Sequence, residues 1–236
     1  MKNQHSSSSI HAQHEQHEKT KQIWIDTGML ILGVLGSSLL AVACLWLDYL
    51  YGDHYIGETS VTEYVQQILL GIAVVAFYRI KAGHESLRHA AILISGFFMV
   101  LFIRELDFLF DYIWHGFWVY PAVFVTIGAL AYAWKGKNQV LHEMAEILSV
   151  PNMRLLVCSV IILISFSRLF GMGSFWHMVM QDDYVRNVKN IVEEGTELLC
   201  YALISYSAVS TQLFMKIRYA VMQQRKQINV NEGIYH

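Results

Sequence analysis

The chain has 236 residues, 55% of them hydrophobic and 15% charged, with a formal net charge of −2 and a mean hydropathy of +0.36. Soluble domains of this length are nearer a quarter charged, so the deficit points to a membrane class. Only two prolines, Pro121 and Pro151, and no long Gly/Ser-rich linker argue against a multidomain chain. Three cysteines in apolar segments (Cys44, Cys158 and Cys200) exclude a disulfide framework or zinc finger.

Residues 1–22 are polar, with serines at 6 to 9 and with His5, His11, His14 and His17. This composition buries no core, so a disordered or frayed cytoplasmic tail is expected. On a helix His11, His14 and His17 would align, a spacing open to metal binding, although a solvated tail is the simpler reading. The first apolar run starts near Trp24, too far in for a standard cleaved signal sequence.

Six apolar segments follow, at 27–50, 61–80, 89–113, 116–135, 152–171 and 195–216. Each has about the twenty residues that a bilayer-spanning helix needs, and helices alone satisfy a lone span's backbone in hydrocarbon. The fold expected is an all-α polytopic membrane protein, a bundle of six transmembrane helices over residues 23–218 with short interfacial helices. A cytoplasmic tail over 219–236 completes it. One interfacial helix is predicted over 138–149, with Val140, Leu141, Met144, Ile147 and Leu148 on its apolar side. A second, over 174–192, places Trp176, Met180, Tyr184, Val188 and Ile191 along one stripe.

Thirteen of the seventeen lysines and arginines fall in the two tails and in the connections after the second and fourth segments. The positive-inside rule then places both termini in the cytoplasm, as in a bacterial-type inner membrane. Because topology accounts for the basic residues, nucleic-acid binding is not indicated. Trp46, Tyr49, Trp114, Trp118 and Tyr120 suit an aromatic belt at the outer interface.

Twelve of the nineteen acidic residues gather on the outer half, and several lie inside predicted spans. Charged side chains at membrane depth persist mainly when paired, hydrated or needed. In the run 97–118, Arg104, Asp107, Asp111 and His115 recur at helical intervals and so share one predicted face. Glu63 opens the second helix with Gln66 and Gln67 one turn on, and Arg168 lies near the outer end of the fifth. Glu194 and Glu197 start the sixth, followed by Tyr201 and Ser205. Six acids (Glu63, Glu105, Asp107, Asp111, Glu194 and Glu197) thus face two arginines, so some must be protonated, hydrated or cation-bound.

The expectation is an outward-open polar cavity built by the second, third, fifth and sixth helices, with Arg104 and Arg168 orienting the acids or holding an anionic lipid headgroup. Its uses would be a divalent-cation site, a proton relay, or acid/base catalysis at the membrane surface. Asp111 and His115 are the residues that would complete a metal site. The competing expectation is an assembly subunit whose charges only pair helices. Haem is disfavoured, because no histidine lies deep within a span. No P-loop, no G-x-S-x-G elbow and no intramembrane H-x-x-H or E-x-x-H motif occurs. The two halves show no defensible inverted repeat, which would have favoured a transporter.

Overall fold

The structure, a computed structural model, describes residues 2–51 and 60–233, with side chains described for 16–51, 60–224 and 227. The side chains of His5, His11 and His14 lie outside the described residues, as do Asp53, Glu58 and the chain beyond 233. Among the described residues every regular element is helical. Helix α1 runs from Lys2 to Tyr51 and continues the polar N-terminal stretch into the first apolar segment. It is followed by α2 (Val61–Gly83), α3 (Arg88–Glu105) and α4 (Asp107–Asp111), then α5 (Val119–Trp134) and α6 (Gln139–Leu148). Next come α7 (Pro151–Ile162), a π-helical turn (Leu163–Ser167), α8 (Arg168–Gly171), α9 (Gly173–Met180) and the long α10 (Arg186–Gly233).

Five helical stretches among the described residues are long and apolar enough to cross a membrane: Gln16–Tyr51, Val61–Gly83, Glu85–Glu105, Pro151–Gly171 and Arg186–Gln224. The remaining apolar helix, α5, has 16 residues. At 1.5 Å per residue it covers about 24 Å, short of the roughly 30 Å of a hydrocarbon core. The exterior is apolar along much of these helices, with Leu32 and Leu39 of α1, Phe124 and Ile127 of α5 and Ile161 of α7 all exposed.

Three boundaries differ from the sequence expectation. The third apolar run is not one helix to residue 113: α3 stops at Glu105, Leu106 leaves helical geometry (φ −97°, ψ 14°), and the short α4 follows as a separate helix. Arg104, Asp107, Asp111 and His115 therefore do not share one face. The ends of a helix need partners for their orphan carbonyls, and here the carbonyl of Glu105 accepts from Gln67 Nε2 at 3.3 Å. The stripe expected over 174–192 is also divided. Trp176 and Met180 belong to α9, a 3-10 turn spans Gln181–Asp183, and Val188 and Ile191 already lie in α10. The sixth helix accordingly begins at Arg186 rather than 195. The short helix expected over 138–149 is present as α6, and Glu143, off its apolar side, is buried.

Packing centres on α2 and α10. Phe77 of α2 stacks on Phe98 of α3 with ring centroids 5.7 Å apart. Around them Leu70, Ile80, Ile147, Met153, Leu156, Tyr201 and Ile204 form one continuous buried cluster. Helix α3 approaches α5 closely through Gly96, where an added Cβ would lie 2.6 Å from that of Ala129. Small residues permit such approaches between membrane helices.

Two buried carboxylates anchor helix starts, one at each end of the bundle. Asp48 of α1 accepts from the N–H groups of Val61 and Thr62 at 2.6 and 2.9 Å. Ser60 caps the same helix by accepting from the Glu63 N–H at 3.2 Å. At the other end, Glu143 of α6 accepts from the N–H groups of His89 and Ala90 at 2.8 and 2.9 Å. Its second oxygen lies 2.8 Å from His89 Nδ1. A carboxylate suits both places because helix N-termini present unpaired donors and a positive dipole end.

Candidate functional site

At the end of the bundle that holds Asp48, the helices diverge around a cavity of about 940 Å³. Glu63 of α2, Arg104 and Glu105 of α3 and Asp107 of α4 line it on one side. Arg168 of α8 and Glu194, Glu197 and Tyr201 of α10 line it on the other. Eight side chains that the sequence singled out thus meet in one space, and the four helices predicted to build it supply them.

Two departures from regular α-helix border the cavity: the end of α3 and a π-helical turn. Helix α3 terminates at Glu105, so Arg104 sits in its last turn, where a cation is favoured by the helix dipole. The π-helical turn Leu163–Ser167 inserts an extra residue into the fifth apolar segment. Such turns occur mainly as single insertions and often at functional sites. Here it carries Leu163, Ile164 and Ser167 onto the cavity wall.

Within the cavity Arg104, Glu105, Ser167, Glu197 and Tyr201 form one network, beside a separate Gln66–Glu194 pair. Glu105 Oε1 accepts from Tyr201 at 2.7 Å and from Arg104 Nη2 at 2.8 Å. The same Arg104 nitrogen reaches Glu197 Oε1 at 3.4 Å. The Ser167 hydroxyl donates to that Glu197 oxygen as well. Gln66 Nε2 donates to Glu194 twice, to the carboxylate at 3.0 Å and to the backbone carbonyl at 3.1 Å. At the rim, Lys189 Nζ pairs with Glu193 at 2.6 Å. Arg168 makes no ion pair with any described residue within 4 Å.

The charge balance is strongly negative. Glu63, Glu105, Asp107, Glu193, Glu194 and Glu197 line the space, against Arg104 and Arg168. Buried acids in such excess are unfavourable unless a proton, water or a cation joins them. The floor is apolar: Leu101, Leu163 and Ile164 close the space, with Phe98, Ile204 and Ala208 fully buried nearby in the core.

Asp111 and His115 are not part of this site. They pair with each other, Asp111 Oδ2 to His115 Nδ1 at 2.8 Å, on an exposed turn. Asp111 Oδ1 also accepts from the Gly116 N–H at 3.0 Å. Gly116 has φ +84°, a conformation that favours glycine. The break after α3 turns both residues away from the cavity. Among the described residues, no group of three His, Cys, Asp or Glu side chains is gathered in a way that could hold a metal ion.

The Gly116 amide, and secondarily His115, hold the Asp111 carboxyl below its ordinary pKa. A depressed carboxylate contributes stability above its unfolded pKa and loses it as pH falls through the folded value. The turn should therefore stay ordered at neutral pH and loosen in acid. NMR titration should give Asp111 a midpoint below that of a free aspartate, returning to the ordinary value in His115→Ala combined with Gly116→Pro; an ordinary midpoint in the native chain would contradict the assignment.

Sequence reasoning did not single out Ser167, Glu193 or Trp118 for the cavity. Ser167 lies in an apolar run with Ser165 close by, and nothing in its spacing marks it. The capping role of Asp48 was equally hidden, although Ser60 and Glu63, three apart before an apolar run, carry a visible helix-start signature.

Comparison with known proteins finds no family model, no curated protein and no solved structure that matches this chain.

Proposed function

We propose that this chain is an integral protein of a bacterial-type inner membrane, with six spans, both tails cytoplasmic and the cavity open to the outer face. In this reading α5 is the fourth of the six spans, completed by the aromatic turn before it. The cavity binds a cationic group or protons at Glu63, Glu105, Glu194 and Glu197, and supports acid–base chemistry at the membrane surface. The observation that carries the reading is the excess of cavity carboxylates over arginines above an apolar floor. The excess calls for a positive partner, and the floor favours a closed site over a conduction path.

A second reading has its own support. Arg104, Glu105, Glu197 and Tyr201 tie α3 to α10, and Gln66 with Glu194 ties α2 to α10. Such bonds lock helices whether or not anything binds.

Ethanolammonium is a suitable probe. Purified protein in nanodiscs should broaden its proton NMR signals, and proteoliposomes should show no proton or rubidium flux above protein-free vesicles. No broadening would remove the binding site. A flux that disappears in Glu194→Gln would replace surface chemistry with transport.

A further inference from the structure

Below the polar cavity, a wholly apolar groove of about 290 Å³ runs between α3 and α7. Leu93, Ile94 and Phe97 of α3 form one wall, Val157, Val160 and Ile161 of α7 the other. Met144 and Leu148 of α6 close its far end. The groove and the cavity adjoin along both helices. Phe97 in the groove lies one turn from Leu101 in the cavity floor, and Val160 lies one turn from Ile164. From Leu93 to Glu105 the combined space covers about 18 Å of helix, comparable with one leaflet of a roughly 30 Å hydrocarbon core.

We propose that the ligand of the cavity is a zwitterionic aminophospholipid drawn from the surrounding bilayer. Its ammonium sits among Glu105, Glu194 and Glu197, its phosphate on Arg168, and one acyl chain lies in the groove. This deepens the preceding functional reading and rests on it.

Three features select this ligand. The acid excess takes up the ammonium. Arg168 lines the same space without an ion pair to any described residue, and a guanidinium matches a phosphate in charge and donor geometry. The groove then supplies what a small soluble amine would leave empty: an apolar slot that begins where the polar lining ends. Ligand sites are commonly apolar clefts with a few convergent polar groups, and this one divides the two along its length. An anionic lipid would bring its phosphate to the acids without a compensating cation. A lipid with no phosphate would leave Arg168 unanswered.

The test uses the full chain in phosphatidylcholine nanodiscs and chain-labelled spin probes of phosphatidylethanolamine and phosphatidylglycerol. The immobilised fraction in the electron paramagnetic resonance spectrum should favour the ethanolamine lipid by about tenfold, the effect of one additional charge-assisted contact set. Ile161→Trp, which fills the groove from its exposed wall, should abolish that preference and leave ethanolammonium broadening intact. Arg168→Gln should lower the immobilised fraction of the ethanolamine lipid while sparing ethanolammonium. Equal immobilisation of the two lipids, meaning annular lipid only, overturns the proposal, and so does a preference that survives Ile161→Trp. Ethanolammonium that binds while the lipid preference fails leaves the site standing without its lipid. Ethanolammonium that fails to bind removes the site itself.

Discussion

Replacing Glu143 by alanine should destabilise the folded protein by about 3 kcal/mol, within the range for leaving buried donors unanswered or breaking a buried pair. Its carboxylate accepts from the His89 and Ala90 amides at the start of α3, and it also faces His89 Nδ1. Glu143 and His89 are both nearly excluded from solvent. Glu143→Gln keeps one carbonyl acceptor and should lose about half as much. Denaturation of the detergent-solubilised protein, followed by circular dichroism, measures both. An alanine variant within about 0.5 kcal/mol of the native chain would show that the cap contributes little.

Glu197→Gln should lower ethanolammonium affinity at least tenfold, about 1.4 kcal/mol, while changing unfolding little. The substitution is isosteric and keeps an oxygen for the Ser167 and Arg104 donors. It removes a buried carboxyl group at the point where the two sides of the cavity meet. Arg104 retains Glu105 at 2.8 Å, so the guanidinium is not left unpaired. This outcome separates the two functional readings. A site loses its ligand and keeps its fold. A set of helix-locking pairs does the reverse, with the melting transition falling and the NMR broadening unchanged. Titration of ethanolammonium against both proteins, alongside their melting curves, decides between them.

The cavity acids were legible because membrane burial raises the cost of charge, and costly residues stand out against an apolar background. Glu63, Arg104, Glu105, Asp107, Arg168, Glu194, Glu197 and Tyr201 could all be found this way, and all line one space. Asp111 and His115 carried the same signal and lie elsewhere. Periodicity assumes a continuous helix, and it broke down at Leu106, where the chain leaves α3. Nothing in the apolar run around Leu106 announces the break, since neither proline nor glycine stands there. The partner that receives the freed carbonyl of Glu105, Gln67, is 38 residues away in the chain.

What the sequence by itself determined is the set of apolar helices and the concentration of acids toward one end, because both follow from composition and local period. The tertiary structure alone decided which charges meet. Asp48 and Glu143 became helix caps through pairings 13 and 54 residues apart. Ser167 reached Glu197 only through a π-helical turn. Those outcomes depend on where helices stop and how they cross, and these are properties of packing between segments that no single segment encodes.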